Sequence, residues 1–443
     1  MIRKILFLMF MLIYLAQPGR LQAQQSSTND LIKTLQSRVR RYPEDYAGYA
    51  GLGAAYLQKG RETGDAADFE LAKGALEKSL DLLSNDPAAA FAMTQMAVVR
   101  MAEHRFDEAL TWAQKALALG SGDPSPWAIA GDALADMGDY TGAAEAYSKL
   151  DSVFGSEDEK LAFSYQRDTR MSFLRFVAGD TQGAINLMRS AIQKAVEMHM
   201  PPENVAWSQY QLGEELFQAG EIAPAEKMYL ASLEEYPGYY RGLAGLAKVR
   251  AAQGKYNDAA DLFKKAIAAV PYPEYAAALG DVFRKIGNAQ EAKKQYQLVE
   301  FIGYLNQVNQ QIHNRDLALF YADHELKLNE SLELARKELE VRHDIYTWDV
   351  LAWSLYKNGK IPEATDAISH ALAQGTRDAQ LFFHAGMIYE KAGDSAKARS
   401  YLQQALATNA HFSILYSEQA AETLARLTQK EIVVSRQEAP SVR

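Results

Sequence analysis

The stretch AWSQYQLGEELFQAGEIAPAEKMYLASLEEYP, residues 206–237, decides how the rest of the chain is read. Leu212-Gly213 with Leu216, then Ala225, Tyr229 and Ser232, form two runs with helical spacing, broken at Gly220 and ended by Pro237. The same columns return downstream. Gly220, Gly254 and Gly287 are 34 and 33 residues apart, and the offsets recur for Ala225, Ala259 and Ala292 and for Tyr229, Phe263 and Tyr296. Pro237 and Pro271 repeat at 34, as do Gly359 and Gly393, Ala364 and Ala398, and Ala371 and Ala405. The spacing predicts a helix-turn-helix unit, repeated along the chain.

Each residue type has a physical reason at its place. Gly213, with Gly53, Gly131, Gly280 and Gly386, falls inside a predicted helix, as do Ala97, Ala247 and Ala352. Glycine there costs about 1 kcal/mol against alanine, a cost that close helix approach justifies. The turn glycine accepts positive φ, the alanine of the second helix lets the pair pack, and the aromatic four residues later fills the space between units. The proline ends the second helix.

This pattern closely resembles the tetratricopeptide repeat. Trp127, Ala130-Gly131, Leu134, Gly138, Tyr140, Ala143 and Tyr147 make one unit; Trp348, Leu351-Ala352, Leu355, Gly359, Ala364 and Ala371 make another. Ten units begin near Asp45, Ala90, Pro124, Tyr165, Ala206, Tyr240, Pro273, Arg315, Ile345 and Ala379. Three depart from the pattern: the first carries an insertion around Arg61 to Asp68, the fourth has Asp168 and Arg175 where aromatics are usual, and the eighth has Asn329 for its turn glycine. The resemblance implies an all-α, right-handed superhelical solenoid of stacked helix-turn-helix repeats. Units one to seven would occupy residues 45–300 and units eight to ten residues 301–410. Residues 24–44, with Leu31, Leu35 and Val39, read as an N-terminal capping helix, and 411–428, with Phe412, Leu415, Leu424 and Leu427, as a C-terminal one. Residues 429–443 read as a flexible tail, and the unbroken apolar pattern from Ala289 to Ile312 as an unusually long second helix, with a bend or joint.

The N-terminus reads as an address. Arg3 and Lys4 precede an apolar run from Ile5 to Ala16, and Leu21-Gln22-Ala23 supplies a small residue before Gln24, the arrangement of a cleavable Sec-type signal peptide over residues 1–23. Twelve apolar residues at about 1.5 Å each are too short to span a bilayer core of about 30 Å. The chain has no Cys, which excludes bacterial lipoprotein-type attachment and disulfides alike, so stability must come from an apolar core. Bacterial export implies a periplasmic or secreted protein, with no integral membrane segment after cleavage. The formal charge of -9, made more negative by loss of Arg3, Lys4 and Arg20, argues against nucleic acid as a partner.

Catalytic signatures are missing. His324-Glu325 opens like a zinc-protease helix motif, but Leu328 stands where the second histidine should be. There is no nucleophile elbow, Walker loop or dinucleotide fingerprint, and without Cys no thiol chemistry. His313, His324, His343, His370, His384 and His411 crowd the last third without spacing that supports one metal cluster, so no metal site and no cofactor are expected.

In the family, the first helix of each unit turns its outer side toward a concave groove where ligands dock. At the corresponding positions the early units place small side chains, whereas the late units place Leu319, Asp323, Tyr346, Asp349, Trp353, Phe383 and Met387. Bulky rings and a methionine beside carboxylates suit the recognition of a protein or peptide. The Lys and Asn set with which some members grip a terminal carboxylate is absent: Lys248 has no Asn partner, and Ala50, Ala54, Ala244 and Ala277 cannot donate from side chains. The sequence therefore implies a non-catalytic exported scaffold for protein-protein interaction or complex assembly. The alternative is an envelope enzyme or metal-handling protein with its site on the helical array.

Overall fold

The computed structural model describes residues 28–438 apart from 84–85, 121, 152–155 and 309–313. Among the described residues there are twenty-two α-helices and no strand. In chain order they are α1 (Thr28–Arg41), α2 (Tyr46–Thr63), α3 (Ala66–Leu82), α4 (Ala90–Ala102), α5 (Phe106–Ala118), α6 (Ser125–Asp136), α7 (Tyr140–Ser148) and α8 (Glu157–Val177). Then follow α9 (Thr181–Glu197), α10 (Pro202–Gln218), α11 (Ile222–Glu235), α12 (Tyr240–Ala252), α13 (Tyr256–Ala269), α14 (Pro273–Lys285) and α15 (Ala289–Val308). The last are α16 (Asn314–Asp323), α17 (Leu328–Leu339), α18 (Ile345–Lys357), α19 (Ile361–Ala371), α20 (Ala379–Lys391), α21 (Ser395–Thr408) and α22 (Ser417–Glu438). From α2 to α21 they succeed one another as helix-turn-helix hairpins, numbered one to ten below: an all-α solenoid. The signal peptide expected over residues 1–23 and the joint expected near Ile312 lie outside the described residues.

Local chemistry sets the helix ends. Asp45, Asp139, Asp344, Asp378 and Asp394 each accept a hydrogen bond from a first-turn backbone N–H, which satisfies donors the helix itself cannot. Turns within hairpins need one left-handed residue, usually glycine. The second hairpin uses His104 (φ 59°) and the eighth uses Glu325 (φ 53°) together with Lys327 (φ 42°). Asn329, expected at that eighth turn, is instead the second residue of α17. Glu325 takes the bend, its carboxylate 2.9 Å from Lys357 Nζ, and because it is not glycine the turn was invisible to the spacing.

Other boundaries also shift. Helix α8 starts at Glu157 rather than near Tyr165, and α10 at Pro202 rather than near Ala206. Repeat columns mark only packed positions, while the added first turn of α8 is Glu157, Asp158 and Glu159, acids favoured at a helix N-terminus. The 20-residue α15 is the long second helix. The C-terminal helix begins at Ser417 and runs to Glu438, so residues 411–416 precede it as a non-helical segment and part of the expected tail is helical.

Among the described residues the contacts define two compact units: residues 28–173 with Arg189–Val205, and Leu174–Met188 with residues 206–438. The first has a core of Ile32, Leu52, Leu57, Leu76, Met96, Val99, Phe106 and Ile129, interleaved with alanines. Its departures from the repeat pattern have a reason: Asp168 is buried but bonded by Arg167 (2.7 Å), Ser190 Oγ (2.8 Å) and Lys194. In the second unit Arg175 is exposed and pairs with Asp180 at 3.1 Å. There, chain segments far apart in sequence also meet: Asn409 Nδ2 donates to the Phe217 carbonyl at 2.7 Å, and Thr376 Oγ1 donates to that of Val177.

One packing relation recurs in the hairpins. The Tyr229 ring of α11 lies between Gly213 of α10 and Gly245 of α12, so close that a Cβ would stand 2.6 Å from it at the first position and 2.3 Å at the second. Gly213→Ala gains about 1 kcal/mol of helix propensity but overpacks the ring at about 1–3 kcal/mol. The expected net effect, checked by urea denaturation, is a loss of up to about 2 kcal/mol.

Candidate functional site

The late hairpins bring several expected groove residues together but do not leave them open. Trp353 and Phe383 are 1% and 0% exposed; Asp323, Tyr346, Asp349 and Met387 are buried and Leu319 is half-buried. Trp353 Nε1 of α18 donates to Asp323 Oδ1 of α16 at 2.8 Å, and its ring stacks on His384 of α20 at 4.1 Å. His384 Nδ1 in turn lies 2.9 Å from Asp349 Oδ1. Over this layer sits the segment before α22. Tyr416 stacks on Phe383 at 4.8 Å and meets Trp353 edge-on at 5.7 Å, Phe412 lies 5.5 Å from Phe383, and Tyr416 Oη donates to the Asp323 carbonyl at 3.0 Å. Lys357 Nζ stands 4.9 Å from the Trp353 ring and 5.8 Å from Tyr416.

A second feature escaped the sequence reading. Three first helices carry a buried carboxylate directly after the small glycine, and each receives a tyrosine from its own hairpin and a cation from the next. In the first unit Asp132 accepts from Tyr147 Oη (2.9 Å) and, bidentately, from Arg170 Nε (2.9 Å) and Nη2 (2.8 Å). In the second, Glu214 accepts from Tyr229 Oη (2.6 Å) and Lys248 Nζ (2.6 Å), and Asp281 from Tyr296 Oη (2.9 Å) and His324 Nε2 (2.8 Å). Hairpins three and four, five and six, and seven and eight are thereby tied as pairs; Asp349 and His384 tie nine and ten. The available signal was Gly131-Asp132, Gly213-Glu214 and Gly280-Asp281, each followed by a tyrosine fifteen residues after the acid.

Protonation follows from partners. His324 Nδ1 faces the Phe320 carbonyl at 2.8 Å while Nε2 faces Asp281. Both are acceptors, so the doubly protonated ring satisfies both. Burial acts to lower the His324 pKa, but the hydrogen bond to Asp281 and the charges of Asp281 and Asp323 outweigh it and leave the value above the usual 6.5. Burial, reinforced by the neighbouring carboxylate, pushes Tyr147, Tyr229 and Tyr296 well up, so they remain donors. A cluster of rings from Tyr236, Tyr239, Tyr240, Tyr272 and Tyr275 surrounds the start of α12 and α14, with the Arg241 guanidinium 5.1 Å from the Tyr240 ring.

The histidines do not converge: His324 and His384 serve different carboxylates, and His370 stacks on Trp348 at 4.2 Å. Among the described residues no group of three or more His, Asp and Glu side chains could hold a metal ion. Nor is any described helix long and apolar enough to cross a membrane.

The profile described as a tetratricopeptide repeat-like domain matches residues 18–161, and the tetratricopeptide repeat profile matches 210–273, 244–300 and 350–411. The chain belongs to the tetratricopeptide repeat family. Tetratricopeptide repeat arrays are in general scaffolds for protein-protein interaction and generally not catalysts. No curated protein matches the sequence. Solved structures similar in fold include yeast Tom70 (12% identity, 93% of this chain and 96% of that one, TM-score 0.41). Others are the Cut9-Hcn1 hetero-tetramer of the APC/C (15%, 90% and 90%, 0.33) and a tetratricopeptide repeat protein from Parabacteroides merdae (16%, 60% and 99%, 0.35).

Two measurements check this electrostatic scheme. Arg170→Met leaves the Asp132 carboxylate buried without its cation and should cost about 3–5 kcal/mol in urea denaturation, part of which Asp132→Asn in the same chain should recover. The raised His324 value means that its stabilisation is complete below about pH 6.5 and is lost as pH rises through the folded-state value. The stability advantage of wild type over His324→Gln should accordingly be largest near pH 6 and shrink toward alkaline pH; an advantage that grew with pH would contradict the assignment.

Proposed function

We propose that this protein is a non-catalytic scaffold, exported by a bacterium to the periplasm or beyond, that holds a protein or peptide partner on the inner faces of its hairpins. The observation that carries the reading is the set of tied carboxylates. Asp132, Glu214, Asp281 and Asp349 are each held by a hydrogen-bonding partner from the next hairpin. Such pairs favour a rigid recognition surface over proton transfer, because catalysis needs a group free to change its bonding during the reaction. The acidic composition argues against nucleic acid as the partner, and the leader-like N-terminus supports export.

In-cell cross-linking and affinity capture of the tagged protein from the native envelope should retain one or a few defined proteins. Sequencing of the purified mature chain should read from Gln24. A chain that keeps Met1 and stays in the cytoplasm would refute export, and a pure preparation that turns over a substrate would refute the scaffold role.

A further inference from the structure

We propose that the inner face of the seventh to tenth hairpins is a receptor for a short segment bearing two aromatic side chains four residues apart and an acid two residues further on, and that Phe412–Glu418 of this chain is such a ligand held in cis. The inference rests on the scaffold reading and names the partner's chemistry.

The segment is held in the manner of a ligand. Between the end of α21 at Thr408 and the start of α22 at Ser417 the chain is not helical, and its side chains bind it to earlier hairpins, Asn409 to the Phe217 carbonyl at its start and Tyr416 to the Asp323 carbonyl at its end. Phe412 and Tyr416 are 5% and 7% exposed, sunk against Phe383 and Trp353. The Tyr416 hydroxyl reaches the Asp323 carbonyl, and Glu418 lies 2.6 Å from Lys285 Nζ. The receiving groups come from four hairpins: Lys285 of α14, Asp323 of α16, Trp353 and Lys357 of α18, and Phe383 of α20. A helix that only shields the end of a solenoid needs to meet the last hairpin alone. Reading across successive hairpins is how a repeat array recognises an extended partner.

The chemistry selects the occupant. The Trp353 and Phe383 rings, with centroids 5.8 Å apart, offer surfaces that aromatic side chains meet by stacking and edge contact. The Asp323 carbonyl requires a donor, which a tyrosine hydroxyl supplies and phenylalanine does not. Lys357 over the rings and Lys285 beyond them favour electron-rich rings and an acid. An acidic segment of the form aromatic-x-x-x-Tyr-x-Glu meets all of these requirements. A partner carrying one would displace residues 412–418, and the intact chain would show an affinity reduced by the fraction of time the segment is open.

Two measurements on the full-length chain test this. First, hydrogen exchange of the unmodified protein should show amides of residues 410–416 opening at least about tenfold faster than those of α18 and α20, as a locally released unit. Exchange in step with those helices would make the segment part of the core and overturn the proposal. Second, a labelled peptide of residues 409–419 should bind Phe412→Ala/Tyr416→Ala, whose helicity is checked by circular dichroism, about tenfold or more tighter than it binds wild type. The same peptide with both aromatics replaced by alanine should not bind. Because the chain has no Cys, Lys285→Cys and Glu418→Cys can be joined by a short bis-maleimide, and the joined protein should lose peptide binding at every concentration. No peptide binding by the helical variant, with envelope partners still captured, overturns this inference and leaves the scaffold standing. Peptide binding without any envelope partner sustains the receptor and overturns the scaffold reading. A concentration-dependent dimer of wild type that the peptide dissolves would assign the groove to a second copy, against the proposal.

Discussion

The structure depends on one steric relation: an aromatic ring from the second helix of a hairpin set between residues without bulk on two successive first helices. Tyr229 between Gly213 and Gly245 shows it most sharply, since a methyl group at either glycine would enter the ring. At Tyr229 the relation brings the helices close enough to exclude water, and it couples the fifth hairpin to the sixth, because one ring belongs to both contacts. A single hairpin cannot bury its apolar face; a stack can.

The buried carboxylates follow from that geometry. A tyrosine whose ring fills the interhelical space delivers its hydroxyl to the residue just after the glycine, and an acid there gives the hydroxyl a partner it would otherwise lack. The acid then needs a cation, which the following hairpin supplies as Arg170, Lys248 or His324. Three different cations in one role show that the constraint is charge and reach rather than residue identity. The result is a series of paired hairpins whose inner acids are committed to each other's support.

The aromatic layer of the late hairpins was legible as an accumulation of large rings at positions that repeat proteins turn inward. Its state was not. Whether Trp353 and Phe383 face solvent or another part of the chain depends on where Phe412 and Tyr416 go, some thirty to sixty residues on in sequence. Helical periodicity carries no information about that return path, because it describes neighbours within an element and not the meeting of distant ones. The same limit hid the tied carboxylates: Asp281 and His324 are 43 residues apart, a spacing set by the long second helix of the seventh hairpin and not by the repeat.

The family, the all-α class and the helical hairpin as the repeating unit were already readable in the order of residues, because those follow from periodicity, turn residues and small-residue columns that act locally. Packing decided which side chains share a proton or a charge, where the left-handed turn falls when glycine is missing, and that Trp353 and Phe383 are covered by Phe412 and Tyr416 of the same chain. These depend on the distance between residues far apart in the chain, which packing sets and local pattern does not record.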